Sequence, residues 1–170
     1  MIKGLIDNGL NDELNQLVGL AFLGNRILDR DMSILSVKFV MNNTPKFLHE
    51  GFAHLYPLLA DQISEYQGSR NNLTEYPDTP EDKSDYNSPL ELFQKLYSYQ
   101  IGYENEIKKV IEDADSIKDY TTVQFLKNYL LNISKYTEQI ILLCDKAEAY
   151  GNNYMDFDRD IKKFYIMGAI

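Results

Sequence analysis

The chain has 170 residues, 44% hydrophobic and 25% charged, with a formal net charge of -9. That balance belongs to a folded chain about the size of one domain, and it excludes collagen-like repeats, disordered tails and membrane-embedded chains. The acid excess argues against unaided binding to a phosphate backbone, which Lys and Arg dominate by releasing counterions, so nucleic acid is not an expected partner. A lone cysteine, Cys144, excludes an internal disulfide and any multi-cysteine metal site. Met1 to Leu5 shows no signal-peptide hydrophobic region, so a cytoplasmic location without membrane association is expected, with residues 1–170 read as one domain.

In chain order, Leu10, Leu14, Leu17, Ala21, Gly24 and Leu28 alternate three- and four-residue steps, the seam of a bundle helix. A second helix is expected from Asn43-Thr44-Pro45, a polar cap before a proline whose missing N–H is harmless in the first turn. Its inward positions are Leu48, Phe52, Leu55, Leu59, Ile63 and Tyr66, all within about a third of the circumference at about 100° per residue. Pro57 lies inside it and should kink it.

From Ser69 to Ser88 the periodicity dissolves into Ser, Asn, Asp, Pro and Thr. So long an aperiodic connection calls for a reason, and joining two parallel helices across the length of a bundle supplies one. The third stripe is Phe93, Leu96, Gln100, Tyr103, Ile107, Val110 and Ala114. The fourth is Val123, Leu126, Leu130, Ile133, Thr137, Ile140, Cys144 and Ala147. The connections at Asn42 to Thr44 and Ser116 to Tyr120 are short enough for antiparallel neighbours. Asp156 to Ile166 is read as a short fifth helix across the bundle end. The expected fold is therefore all-α: a four-helix bundle with a long crossover between its second and third helices.

These segments carry a family likeness. Leu48-His49-Glu50-Gly51-Phe52-Ala53-His54-Leu55-Tyr56-Pro57-Leu58-Leu59-Ala60-Asp61, followed by Glu65, resembles the second helix of the Dps mini-ferritins, and Asn42 to Phe47 resembles the turn that enters it. Leu90-Glu91-Leu92-Phe93-Gln94, through Asp119-Tyr120-Thr121-Thr122 to Phe125-Leu126, resembles the third helix, turn and fourth helix of bacterial ferritins. Together the likeness spans most of Leu10 to Tyr165. It implies a ferritin-like subunit of a cage that oxidises Fe(II) and stores it as mineral. The implied partners are further copies of the chain, from dimer to cage, or an active ferritin-like subunit with which it co-assembles.

The ferritin resemblance implies a di-iron site inside the bundle, at positions that here hold Leu17, Gln100 and Ile133, with Tyr136 or Thr137 one turn on. His54 matches the family's histidine but lies roughly 140° from the apolar face of its helix. The mini-ferritin register implies an intersubunit site at Phe39, His49, Ala53, Ser64 and Gly68, of which His49 alone is a ligand type. His49 lies about 80° from the centre of that face, a flank position that suits an interface. Aliphatic side chains cannot ligate iron, so neither ferroxidase centre is expected intact and no catalytic residue is assigned. His49, Glu50, Asp61 and Glu65 stand as the candidate metal-binding residues, with iron as the implied cargo. The alternative is a structural or interaction protein that kept the bundle and has no metal role.

Other features read more plainly. Gln100, an amide on an apolar stripe, must find a buried partner, and Tyr103 or Thr137 is expected to supply it. Glu104, Glu106, Glu112, Asp113 and Asp115 read as a solvated acidic face, which inside a cage would gather Fe(III). Asp156, Asp158 and Asp160 open like a calcium loop, but Ile161 stands where its turn glycine is required. DNA protection is not expected, since Lys3 is the one basic residue ahead of the first helix.

Overall fold

The computed structural model describes residues 2–167. Each long helix starts at a side-chain cap. Asp7 accepts the Gly9 N–H at the start of α1 (Asn8–Val37). Ser88 accepts the Glu91 N–H at the start of α4 (Pro89–Ser116), Pro89 fills the first helical position, and the Glu91 carboxylate reaches back to the Asn87 N–H at 2.7 Å. Asp119 accepts the N–H and the hydroxyl of Thr122 at the start of α5 (Tyr120–Tyr150). That helix stops at Gly151, whose φ of 55° suits a residue without a Cβ. No strand occurs among the described residues.

The second bundle helix is compound: α2 (Asn43–Leu48), a π-helical turn (His49–Ala53) and α3 (Leu55–Ser69). The kink expected at Pro57 is this wide turn, displaced ahead of the proline. A proline cannot donate to the carbonyl four residues back and its ring crowds that carbonyl, here Ala53, so the helix opens before it. The extra width rotates α3 about the rod axis. Leu55, Tyr56, Leu59, Ala60, Ile63 and Gln67 are buried on α3, while Tyr66, expected inward, is only half-buried.

The four bundle helices form antiparallel pairs, α1 with the α2–α3 rod and α4 with α5. The inward residues of the first and third stripes are all buried; on the fourth, Leu130 and Cys144 are half-buried and Tyr129 and Leu143 are buried beside them. Burial pushes the Cys144 thiol up to about 11, which leaves it protonated and unreactive at neutral pH.

Because α3 and α4 run parallel, the chain returns along the whole bundle, and it does so as an extended strap on α1. Asn11 donates to the Leu73 carbonyl, Asn15 accepts the Glu75 N–H, the Pro77 ring lies over Gly19, Arg30 donates to the Ser84 carbonyl and Lys38 to Asp85. The lengths agree. Residues 73–85 in extended form span about 40 Å, and residues 11–38 of a helix rise about 40 Å. At its start the strap is clasped by Gln67, which donates to Asn15 at 2.9 Å and accepts from Thr74 at 2.9 Å.

The carboxyl-terminal segment forms α6 (Tyr154–Asp160) and a 3₁₀ turn (Ile161–Phe164), as the sequence suggested. Phe157 and Phe164 pack with Phe93 and Tyr150 over the bundle end. Asp158, one of the calcium-loop mimics, acts as a helix cap. Its buried carboxylate accepts the backbone N–H groups of Asn42, Asn43 and Thr44 and the Thr44 hydroxyl, at 2.6 to 3.1 Å. Those are the unpaired donors of the first turn of the second bundle helix, so one side chain caps a helix 114 residues earlier in sequence. Asp160 is held well below the usual carboxylate range by Lys163, Arg159 and the Tyr150 hydroxyl.

Asp158→Ala is expected to lower stability by about 2 kcal/mol in chemical denaturation at pH 7, since buried donors lose a charged acceptor. Desolvation raises the pKa of Asp158, but the donors of Thr44, Asn42 and Asn43 outweigh it and the net shift is downward. Its contribution is therefore complete above the ordinary carboxylate pKa of about 4 and is lost as pH falls through the folded value. Denaturation curves of wild type and Asp158→Asn should accordingly converge in acid.

Candidate functional site at the bundle centre

At mid-height the bundle is filled by phenols. Tyr56 of α3, Tyr99 and Tyr103 of α4 and Tyr129 of α5 meet among Leu17, Leu59 and Ile133. Tyr129 donates to the Leu59 carbonyl at 3.1 Å, which leaves Tyr103 to donate to the Tyr129 phenol at 2.6 Å. Tyr99 donates to the Leu20 carbonyl, one turn along α1. Burial pushes all four hydroxyls above the ordinary phenol value, so they are neutral hydrogen-bonding groups at physiological pH.

Gln100 finds its partner here, and it is neither Tyr103 nor Thr137. The Tyr56 hydroxyl donates to Gln100 Oε1 at 2.8 Å, while Gln100 Nε2 is buried without a partner. Thr137 instead donates to Glu104, so Glu104 faces the α4–α5 seam and is buried, a correction to its reading as part of a solvated face. The Tyr56 ring reaches the centre because α1 carries Gly24 opposite it. A Cβ at residue 24 would meet the ring at 2.6 Å.

Of the residues at which the ferritin resemblance implies iron ligands, Leu17 and Ile133 are buried and have no lone pair, and the Gln100 oxygen is already bonded to Tyr56. His49 and His54 are both exposed, and the structure joins them: their rings meet edge to face with centroids 4.8 Å apart. A uniform 100° step separates residues five apart. The wider π-helical turn advances each residue by less and brings them onto one face. Glu50 is exposed beside a cleft floored by Phe47 and Tyr165 and flanked by Lys162. Asp61 and Glu65 are exposed one turn apart on α3, but Asp61 lies twelve residues beyond His49, roughly 18 Å along the rod. His49 and Glu50 therefore cannot share one ion with Asp61 and Glu65 inside a single chain. Among the described residues no group of three or more His, Cys, Asp or Glu is placed to hold a metal ion.

One buried ionisable group lies outside the candidates that the sequence pattern supplies. Asp31 is fully buried on α1. A signal for it exists, since Leu28, Asp31 and Leu35 continue the three-and-four spacing of the first seam beyond the stripe that ends at Leu28.

An antiparallel bundle of four long helices with one extended crossover is the ferritin-like architecture. The sequence profile described as the ferritin-like domain of the Ferritin family matches residues 58–147, from α3 through the strap to the last turns of α5, and the chain belongs to that family. Its fold is similar to that of the open-pore ferritin of the hyperthermophilic archaeon Archaeoglobus fulgidus, with a TM-score of 0.86 at 16% identity over 94% of this chain and 97% of that one. The Chlorobium tepidum ferritin gives a TM-score of 0.81 at 18% identity over 94% of this chain and 99% of that one. A. fulgidus ferritin engineered to a closed form gives 0.83 at 16% identity, over 92% and 96%. No curated protein sequence matches the chain. No helix among the described residues is long and apolar enough to cross a membrane.

The central layer generates two expectations. Gly24→Ala should destabilise the fold by about 1–3 kcal/mol through overpacking, and much less in a Tyr56→Leu background, a coupling that a double-mutant cycle in urea measures. Tyr56→Phe should cost about 1–3 kcal/mol by stranding the Gln100 oxygen, and adding Gln100→Leu should recover most of that loss.

Proposed function

We propose that this chain is a ferritin-type cage subunit concerned with iron storage whose bundle centre serves packing, so that it does not itself oxidise Fe(II). The observation that carries the reading is that Leu17, Ile133 and a Tyr56–Gln100 hydrogen bond fill the interior where the ferritin resemblance implies carboxylates. Family membership and the likeness to solved ferritins support an oligomeric, iron-related role. The subunit either receives Fe(III) on acidic surface or co-assembles with an iron-oxidising relative. Glu106, Glu112 and Asp115 are exposed on α4, and partial burial together with the charge of Asp113 raises the pKa of Glu13 beside them on α1. Such oxygen-rich surface suits hard ferric ions. His49 and Glu50 are separated along the helix from Asp61 and Glu65, so within one chain these residues offer a metal at most one pair of donors at a time, and a second subunit could add to either pair.

Purified protein incubated aerobically with Fe(II) should oxidise it no faster than buffer, and should end as a large soluble iron-loaded particle by size-exclusion chromatography with iron analysis. Oxidation well above the buffer rate, abolished by His49→Ala, would overturn the reading in favour of an active centre. Protein that stays iron-free while the iron precipitates would instead favour a structural protein on the same bundle.

A further inference from the structure

Asp31 sits where α1 faces the strap, and both of its carboxylate oxygens are buried without a hydrogen-bond partner. On the strap, Asp82 accepts the N–H and hydroxyl of Ser84 through Oδ1, at 2.8 and 2.6 Å, while its Oδ2 is also buried without a partner. The two carboxylates are near enough for the charge of Asp82 to act on Asp31. The Tyr86 phenol leans towards Asp31 and Ser84 but meets hydrogen-bond geometry with neither Asp31 oxygen. Burial is the main force on Asp31 and, against the pull of the phenol, pushes its carboxyl up to about 8.

Three carboxylate oxygens with no donor are thus gathered between one helix and the segment that straps it. Buried polar groups are ordinarily paired, and buried charges are paired or coordinate metals. No charged side chain supplies the pairing. Arg30, whose charge is felt at Asp31, gives its Nε hydrogen to the Ser84 carbonyl, and among the described residues no Lys or Arg forms an ion pair with Asp31 or Asp82. Asp82 also borders a groove of about 500 Å³ between α1 and the strap, where Asn25, Asp29, Thr79 and Glu81 present further oxygens and Arg26 and Arg30 offset part of the charge. The groove reaches Asp82, whereas Asp31 does not line it.

We propose that Asp31 and Asp82 hold a small hard divalent cation of the Mg²⁺ or Mn²⁺ class between α1 and the strap, with water from the groove completing its shell. Two carboxylates plus water is the donor set such ions take, whereas Ca²⁺ favours six to eight oxygen ligands in a fuller cage. With no imidazole or thiolate in the set, a softer transition metal is disfavoured. The ion ties the middle of the crossover to the helix it runs along, a structural role separate from iron storage and independent of it.

The test is Mn²⁺ titration of the full-length protein after chelation, read by electron paramagnetic resonance of the free hydrated ion and by thermal melting. Wild type is expected to bind one Mn²⁺ per chain, displaceable by Mg²⁺, and to melt several degrees higher with the ion bound. Asp31→Asn and Asp82→Asn should each weaken that binding more than about tenfold and abolish the melting shift, while circular dichroism reports a folded bundle. Asp82 is on the strap, so its variant serves even if the core substitution fails to fold. Glu138→Gln, on the exposed face of α5, should leave the binding unchanged. Absence of stoichiometric Mn²⁺ binding to wild type would overturn the proposal, as would unaltered binding in Asp82→Asn.

Discussion

The structure depends on the chain's return path. Two consecutive bundle helices, α3 and α4, run parallel, so they can be joined only by a connection as long as the bundle itself, and such a connection carries backbone groups that need partners. Here it lies extended along α1, whose polar side chains meet it at intervals from Asn11 to Lys38. The match of about 40 Å of extended chain to about 40 Å of helix makes α1 both a core element and a rail. Gln67, buried at the end of α3, locks the strap where it leaves the helix.

That arrangement leaves the bundle interior free of connection, and its chemistry is set by what the four seams bring there. The seams bring tyrosines. Large phenols fill the central volume, and each hydroxyl lies beside a carbonyl, an amide oxygen or another phenol. A phenol in this setting supplies apolar area with one satisfied polar tip. It needs neither a counter-ion nor a water channel, in contrast to carboxylates at the same height. Gly24 shows how far the filling goes, because α1 gives up a side chain to admit the ring of Tyr56.

Two buried aspartates differ in the same terms. At one bundle end, Asp158 puts a charged acceptor against three backbone donors and joins α6 to the entry of the second bundle helix. Along α1, Asp31 faces Asp82 with both of its oxygens unpaired and only the Tyr86 phenol leaning towards it. The first carboxylate is stabilised in its charged form and the second is not. The difference lies in the orientation of nearby dipoles, which burial makes more consequential.

The sequence by itself determined the four helices, their inward stripes, the start of the second helix at Asn43 to Pro45 and the long crossover, because hydrophobic period and turn chemistry are local properties read within one or two turns, while the cap of that second helix came from Asp158. It also determined that Leu17, Gln100 and Ile133 would share the interior, since each lies on a seam. Only the tertiary structure decided who pairs with whom. Gln100 took Tyr56, which a uniform 100° step had left off the inward face, because the turn ahead of Pro57 opened and rotated α3. The same turn brought His49 and His54 together. Asp158 found its donors 114 to 116 residues away, and Asp31 met the strap rather than solvent. These outcomes depend on small rotations summed along rods and on the path of an aperiodic segment, and no local pattern of residues encodes either.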